Sequence, residues 1–429
     1  MFAAILPISA AVIMMTALAS TVPEQESIAS EASEPSSNYN EQLPSTEHQP
    51  LPFRVEKLSW WYYYWNLFSK RTLRDYALCN HFDPHSNTSI DFQVSMVSKQ
   101  KVIFCSNPDV ARRVLKDGEH NPNYVQSSNK VSKILDHFTK TNILISNGEA
   151  WHKYRSVLEG TWNPHGLGME IEHLLPKIVN FIEEDKPIDV NDLAKRITLD
   201  VMGSALLGAE IDSLSRKDDQ LLTDLNTIVG AMTTLTILVP DIFLRPIYSA
   251  VDRVRAKVRA FYETSMVSGS GKVINALREA ELQGTISKEE AVDLMCFLFI
   301  AGHDTTASSL ASLLYEMAKD QQMQDRIRNT DDPEYEEACV KENLRLNPAT
   351  AFIQSRETKA GSCIPEGYRF SIPVSALHFS PKYWTDPFKF DPTRFMSSSE
   401  EGSGSSKNNM KAFMPFGYGK RQCPGMTMA

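Results

Sequence analysis

The sequence predicts a mainly α-helical fold with a smaller β part, and three observations carry this. A long helical pattern with a marked start runs from Ser287 to about Lys319. From Trp151 onward the patterns are mainly helical, with short broken stretches between them. Strand-like alternation is confined to Ile90–Val97, Lys101–Cys105 and parts of the last third, where Pro-rich loops, short strands and helices mix.

The chain has 429 residues, 42% of them hydrophobic, which is enough to bury a large core. The net charge of −9 comes without any basic tract, so nucleic acid is excluded as a partner. The cysteines Cys79, Cys105, Cys296, Cys339, Cys363 and Cys423 are scattered and form no C-x-x-C pair, a pattern of free thiols in a reducing compartment.

Residues 1–22 carry no charged side chain and are long enough to cross a bilayer, so a membrane anchor is expected there. The competing reading is a cleaved signal peptide, because Ala17-Leu18-Ala19 resembles a cleavage site. Residues 23–52 form an acidic linker with Glu24, Glu26, Glu31, Glu34, Glu41 and Glu47 and no Lys or Arg, too polar to order itself. The aromatic run Leu58–Phe68, followed by Lys70, Arg71 and Arg74, suits a bilayer interface or a core helix.

The folded unit, residues 53–429, opens with a hairpin made of Ile90–Val97 and Lys101–Cys105. A helix follows, with Asn107 as its cap, Pro108 at its first position and Gly118 as its stop. Ser287-Lys-Glu-Glu290 is a capping box opening the long helix, whose stretch Leu294–Ala301 is apolar all round and therefore buried. Ser397–Asn409 reads as a surface insert rich in Ser, Gly and Asn.

The most informative segment is Phe416-Gly-Tyr-Gly-Lys-Arg-Gln-Cys-Pro-Gly425, of the form F-x-x-G-x-R-x-C-x-G. A thiolate that ligates iron must stay deprotonated and unobstructed. Gly417, Gly419 and Gly425 let the backbone turn tightly and bring N–H groups toward the sulfur of Cys423. Arg421 can reach an anionic haem propionate, and Phe416 can cover the metal. A zinc site would need further Cys or His ligands at short spacing, and none flank Cys423.

This segment resembles the haem-binding loop of the cytochrome P450 superfamily, which makes Cys423 the expected iron ligand and the fold a P450-like one. Ala301-Gly-His-Asp-Thr-Thr306 resembles the family's A-G-x-D-T-T motif. The resemblance implies that Asp304 and Thr305 guide protons, while Gly302 leaves room for a flat cofactor or bound gas and His303 packs rather than ligates. The alternative reading of the same run is a kinked helix with Thr hydroxyls bonded to the preceding turn. Lys341-Glu-Asn-Leu-Arg345 resembles the family's E-x-x-R, joined to the arginine of Asp391-Pro-Thr-Arg-Phe395, so Glu342, Arg345 and Arg394 are expected in one buried structural cluster. Trp151-His-Lys-Tyr-Arg155 resembles the family's W-x-x-x-R helix, and Trp151, Arg155, Arg356 and His378 become candidates for the propionates.

The resemblance implies a monooxygenase that uses haem b and O2, with NADPH consumed indirectly through a separate NADPH-dependent cytochrome reductase and cytochrome b5 as a further electron donor. It implies an apolar small substrate and a place on the endoplasmic reticulum membrane facing the cytosol, or in the secretory pathway if residues 1–22 are cleaved. One rival is a haem-thiolate isomerase or dehydratase acting on peroxides, against which Asp304-Thr305 argues. A second follows from where the sequence stops, Met426-Thr-Met-Ala429, directly after the cysteine loop: a domain incomplete at its C-terminus and a non-catalytic truncated product.

Overall fold

A computed structural model describes residues 55–58, 89–93, 101–117, 124–126, 133–159, 161, 164–182, 187–216, 218–232, 239–264, 272–350, 352–359, 366–397 and 409–427. The expected anchor, the linker, the aromatic run after Leu58, Gly118, most of the Ser/Gly insert, Cys79 and Cys363 lie outside the described residues.

The strands are β1 (Val55–Leu58), β2 (Ser89–Gln93) and β3 (Lys101–Phe104), which precede helix α1 (Pro108–Asp117) and β4 (Tyr124–Gln126). Among the described residues the α-helices α2 (Lys133–Phe138), α3 (Gly148–Leu158), α4 (Pro164–Phe181), α5 (Val190–Met202, continued by a π-helical turn at Gly203–Leu207), α6 (Gln220–Ala231), α7 (Asp241–Thr264), α8 (Lys272–Leu282) and α9 (Lys288–Lys319) follow. Then come α10 (Gln321–Asn329), α11 (Pro333–Leu346), β5 (Phe352–Thr358), β6 (Tyr368–Pro373), α12 (Val374–His378) and α13 (Asn409–Ala412). Short 3-10 turns form at Pro392–Phe395 and Pro424–Thr427.

The local signals behave as their chemistry requires. Asn107 Oδ1 accepts the N–H groups of Asp109 and Val110, so it caps α1. Ser287 and Glu290 form a complete capping box at α9, each side chain bonding the other's backbone N–H. The expected hairpin exists, with β2 and β3 antiparallel from Ile90↔Phe104 to Gln93↔Lys101.

The six strands among the described residues form one sheet in the order β1-β2-β3-β6-β5-β4. The pairing of β3 with β6, in register Lys101↔Tyr368, draws the last third of the chain back to its beginning. A second core forms there, where Val114 and Leu115 of α1 meet Phe370, Ile372, Leu377, Trp384 and Met414. The larger core is helical. It gathers Trp151 and Tyr154 of α3, Leu199 and Met202 of α5, Leu225 and Ile228 of α6, Val254 of α7 and most of Ala291–Ile300 of α9. Because α9 is apolar on every side along that stretch, neighbours pack around it, and it becomes the axis of the domain.

Candidate functional site

The cysteine loop turns on glycines. Gly417 and Gly419 have φ of 78° and 79°, values that other residues rarely adopt. A Cβ at Gly419 would stand 3.0 Å from the Leu115 carbonyl oxygen, so this glycine also lets the loop lie against the end of α1. The backbone closes on itself, with Gln422 N–H donating to Gly419 O at 2.9 Å and Cys423 N–H to Phe416 O at 3.0 Å. Phe416 itself is half-buried.

Cys423 is exposed, whereas the other described cysteines, Cys105, Cys296 and Cys339, are buried. Its surroundings pull in two directions. Desolvation raises the thiol, while the backbone N–H of Gly425 at the sulfur and the charge of Arg155 favour the thiolate. A Cβ at Gly425 would stand 3.8 Å from the sulfur, an ordinary contact distance, so the residue lies directly beside it.

Helix α3 supplies the groups beside the loop. The Arg421 guanidinium lies 4.4 Å from the centre of the Trp151 ring, and its Nη2 donates to Asn147 Oδ1 at 3.4 Å. Arg155 Nη1 donates to the carbonyl of Gln422 at 3.3 Å. The i, i+4 spacing of Trp151 and Arg155 thus presents both residues to the cysteine loop. The same helix holds the start of α9, since Lys153 Nζ and Tyr154 Oη donate to Glu290 Oε1 at 2.7 Å and 2.6 Å. Asn147, Lys153 and Tyr154 had no signal in the sequence, and Glu290 was legible only as half of a capping box, because these contacts join partners more than a hundred residues apart.

The expected structural cluster forms. Arg345 Nε and Nη2 donate to the two carboxylate oxygens of Glu342 at 2.7 Å and 2.8 Å, with both residues fully buried. Arg394 Nε lies 3.4 Å from Glu342 Oε1, and the Asp391 N–H donates to the same oxygen at 2.9 Å. Arg345 Nη1 also donates to the carbonyls of His378 and Pro387 at 2.7 Å each.

On α9, Asp304 and Thr305 are half-buried. Burial raises the Asp304 carboxyl, and the charge of Lys195 partly offsets this. The Thr305 hydroxyl donates to the Ala301 carbonyl at 2.8 Å, the bond to the preceding turn that the alternative reading foresaw, and its oxygen keeps acceptor capacity. His303 is buried and shares a 3.0 Å hydrogen bond between Nδ1 and Thr198 Oγ1, so it packs as expected.

Two expected binding residues, Gly302 and His378, take other places, while Arg356 keeps a buried position in the sheet. A Cβ at Gly302 would run into Met202 Sδ, so the missing side chain serves the close approach of α5 and α9. His378 is fully buried with both ring nitrogens committed: Nδ1–H donates to the Arg345 carbonyl at 3.1 Å, and Nε2 accepts the Met414 N–H at 3.2 Å. It has no nitrogen left for a propionate, and burial together with the Arg345 charge pushes it down to about 3. Arg356 is buried in β5, opposite Phe370 on one side and Gln126 on the other.

The donor set suits a haem. It offers the Cys423 sulfur, which accepts a backbone N–H, with Arg155 and Arg421 for propionates and Trp151 beside them. Comparison with known proteins agrees. A cytochrome P450 family profile matches residues 56–429. Cytochrome P450 3A5 from Homo sapiens is 26% identical over 390 residues, spanning 76% of this chain and 73% of the human one. Cytochrome P450 3A13 from Mus musculus is 26% identical over 385 residues, spanning 77% and 74%. Among solved structures, retinoic acid-bound cyanobacterial CYP120A1 aligns with a TM-score of 0.66 at 21% identity, covering 79% of this chain and 80% of that one, a likeness of fold. With the family's cysteine loop, buried Glu–Arg cluster and long central helix all in place, the chain belongs to the cytochrome P450 family and is a monooxygenase of that kind.

Proposed function

We propose that this protein inserts one oxygen atom of O2 into an apolar organic substrate, with electrons from a separate NADPH-dependent reductase. The observation that carries the reading is the meeting of the Cys423 loop with Trp151 and Arg155 of α3, since α3 also grips the start of the helix bearing Asp304 and Thr305. Cys423 would hold the iron, and Arg155, Arg421 and Trp151 the propionates, with buried Arg356 a further candidate. Haem b, once bound, supplies the activation of dioxygen.

The chain's own residues supply protons and water control. Asp304, held above the usual carboxylate range by burial, keeps a proton more readily than an exposed carboxylate and can pass it inward. Thr305, with its own proton on the helix backbone, presents an oxygen that accepts one. An apolar guest is in keeping with the apolar face of α6, where half-buried Val229 adjoins the core residues Leu225 and Ile228. Residues 1–22, uncharged throughout, would fix the domain to the endoplasmic reticulum membrane, facing the cytosol and the reductase, with cytochrome b5 as a second donor. Among the described residues no helix is long and apolar enough to cross a membrane.

The test is product analysis with a lipid and terpenoid panel, using haem-loaded protein, reductase and isotopically labelled O2. One labelled oxygen atom per product molecule supports the reading. Product that carries oxygen from water, or turnover that proceeds on hydroperoxide without reductant or O2, overturns it.

A further inference from the structure

The third position of the Ala301–Thr306 run has no assigned task, yet its side chain is among the most buried polar groups of the domain. His303 is 1% exposed and Thr198, its partner across the seam between α5 and α9, is 3% exposed. The bond belongs to a row. Lys195, Thr198 and Met202 are spaced i, i+3, i+7, so they form one stripe along α5. Facing them on α9 are His303 and Gly302, with Asp304 within reach of the Lys195 charge. The Lys195 charge acts on Asp304, Thr198 bonds His303, and Met202 Sδ fills the place a Gly302 side chain would take.

Each contact constrains a different freedom of α9. The Met202 thioether fills the space beside Gly302, so a side chain at 302 would have to displace it from the seam. The His303–Thr198 bond sets rotation and register, because it is directional and sequestered from water. The Thr198 hydroxyl donates to the Lys195 carbonyl at 3.2 Å, which fixes it and leaves its oxygen to accept the Nδ1–H of His303. Lys195 is itself anchored, donating to Asn226 Oδ1 at 2.6 Å.

We infer that His303 is a positioning residue for proton delivery: its hydrogen bond to Thr198 holds the following Asp304 and Thr305 where they serve the bound oxygen. This rests on the proposed roles of Asp304 and Thr305. Without the bond, Thr198 keeps its local acceptor, whereas a buried imidazole nitrogen loses its partner. The turn of α9 that carries Asp304 is then free to rotate or slide.

The experiment uses haem-loaded full chain with an NADPH-dependent reductase and no organic substrate. It reads hydrogen peroxide released per NADPH consumed, beside the carbon monoxide spectrum and Tm. Asp304→Asn and Thr305→Ala serve as controls for the proton path. Thr198→Val keeps the shape and removes the hydroxyl, and His303→Asn keeps a donor near the place of Nδ1. We expect Thr198→Val to shift the peroxide ratio in the direction of the controls by about five-fold, the population factor of one buried hydrogen bond. His303→Asn should stay near the wild-type ratio, and His303→Leu should match Thr198→Val. If the controls shift the ratio and Thr198→Val does not, His303 is merely structural and the inference fails. If the controls themselves leave it unchanged, the proton-path reading falls first and takes this inference with it.

Discussion

Replacing Glu342 by Gln keeps the shape of a fully buried side chain and removes its charge. Gln has one acceptor oxygen where Glu has two, and it turns an NH2 group toward the guanidinium of Arg345, which has only donors. The Asp391 N–H and Arg394 Nε then compete for what remains. Removing one partner of a buried pair costs about 3–5 kcal/mol. Arg345 retains the carbonyls of His378, Pro387 and Lys389, so the lower end, about 3 kcal/mol, applies here. With the unfolding entropy typical of globular chains, that is a fall of about 4 °C in Tm for a domain of this size. Trp384, whose ring lies 5.3 Å from the Arg345 guanidinium, makes fluorescence a local reporter of the same unfolding. The fraction that stays folded should keep its haem and its spectrum, since the cluster touches no reacting atom. A loss below about 1 kcal/mol, against the cost expected for a buried pair, would refute the idea that this cluster locks the framework.

Further outcomes follow from the same geometry. Gly419→Ala forces an ordinary residue into a left-handed turn facing the Leu115 carbonyl; it should cost about 1–2 kcal/mol and lower haem occupancy on purification, and full occupancy would contradict it. Arg421→Leu removes the cation stacked on Trp151, so haem transfer to a scavenging globin should quicken about tenfold, the weight of one charge-assisted bond. Two histidines make stability depend on pH. His303 is pushed down by burial to about 4 and His378 to about 3, from an ordinary value of 6.5. The unfolded chain therefore binds more protons below pH 6.5, so stability is full above that value and falls as the pH drops toward 4. By pH 5 each accounts for about 2 kcal/mol, and His303→Asn should flatten the Tm profile by one such share.

What could be read from the sequence was local. The caps at Asn107 and Ser287, the β2–β3 hairpin and the all-apolar α9 depend on neighbours a few residues apart, and they appear where the spacing puts them. The Glu342–Arg345–Arg394 cluster joins segments far apart in sequence and was legible only through the family's pattern. The seam between α5 and α9 was not legible, because nothing near Thr198 or Met202 marks them as partners of residues a hundred positions on. Gly302 was taken for an opening when its missing side chain admits Met202. His378 was a propionate candidate through the family resemblance, yet a buried imidazole offers only two nitrogens, and the backbone takes both.

The sulfur–iron bond is tested most directly by the spectrum of the reduced protein under carbon monoxide. Wild-type protein, with Cys423 the one exposed cysteine among the described residues, should give the red-shifted Soret band of a thiolate ligand, and Cys423→Ser should lose that band while keeping its fold. A Cys423→Ser protein that binds haem and shows the same red-shifted band would contradict the account.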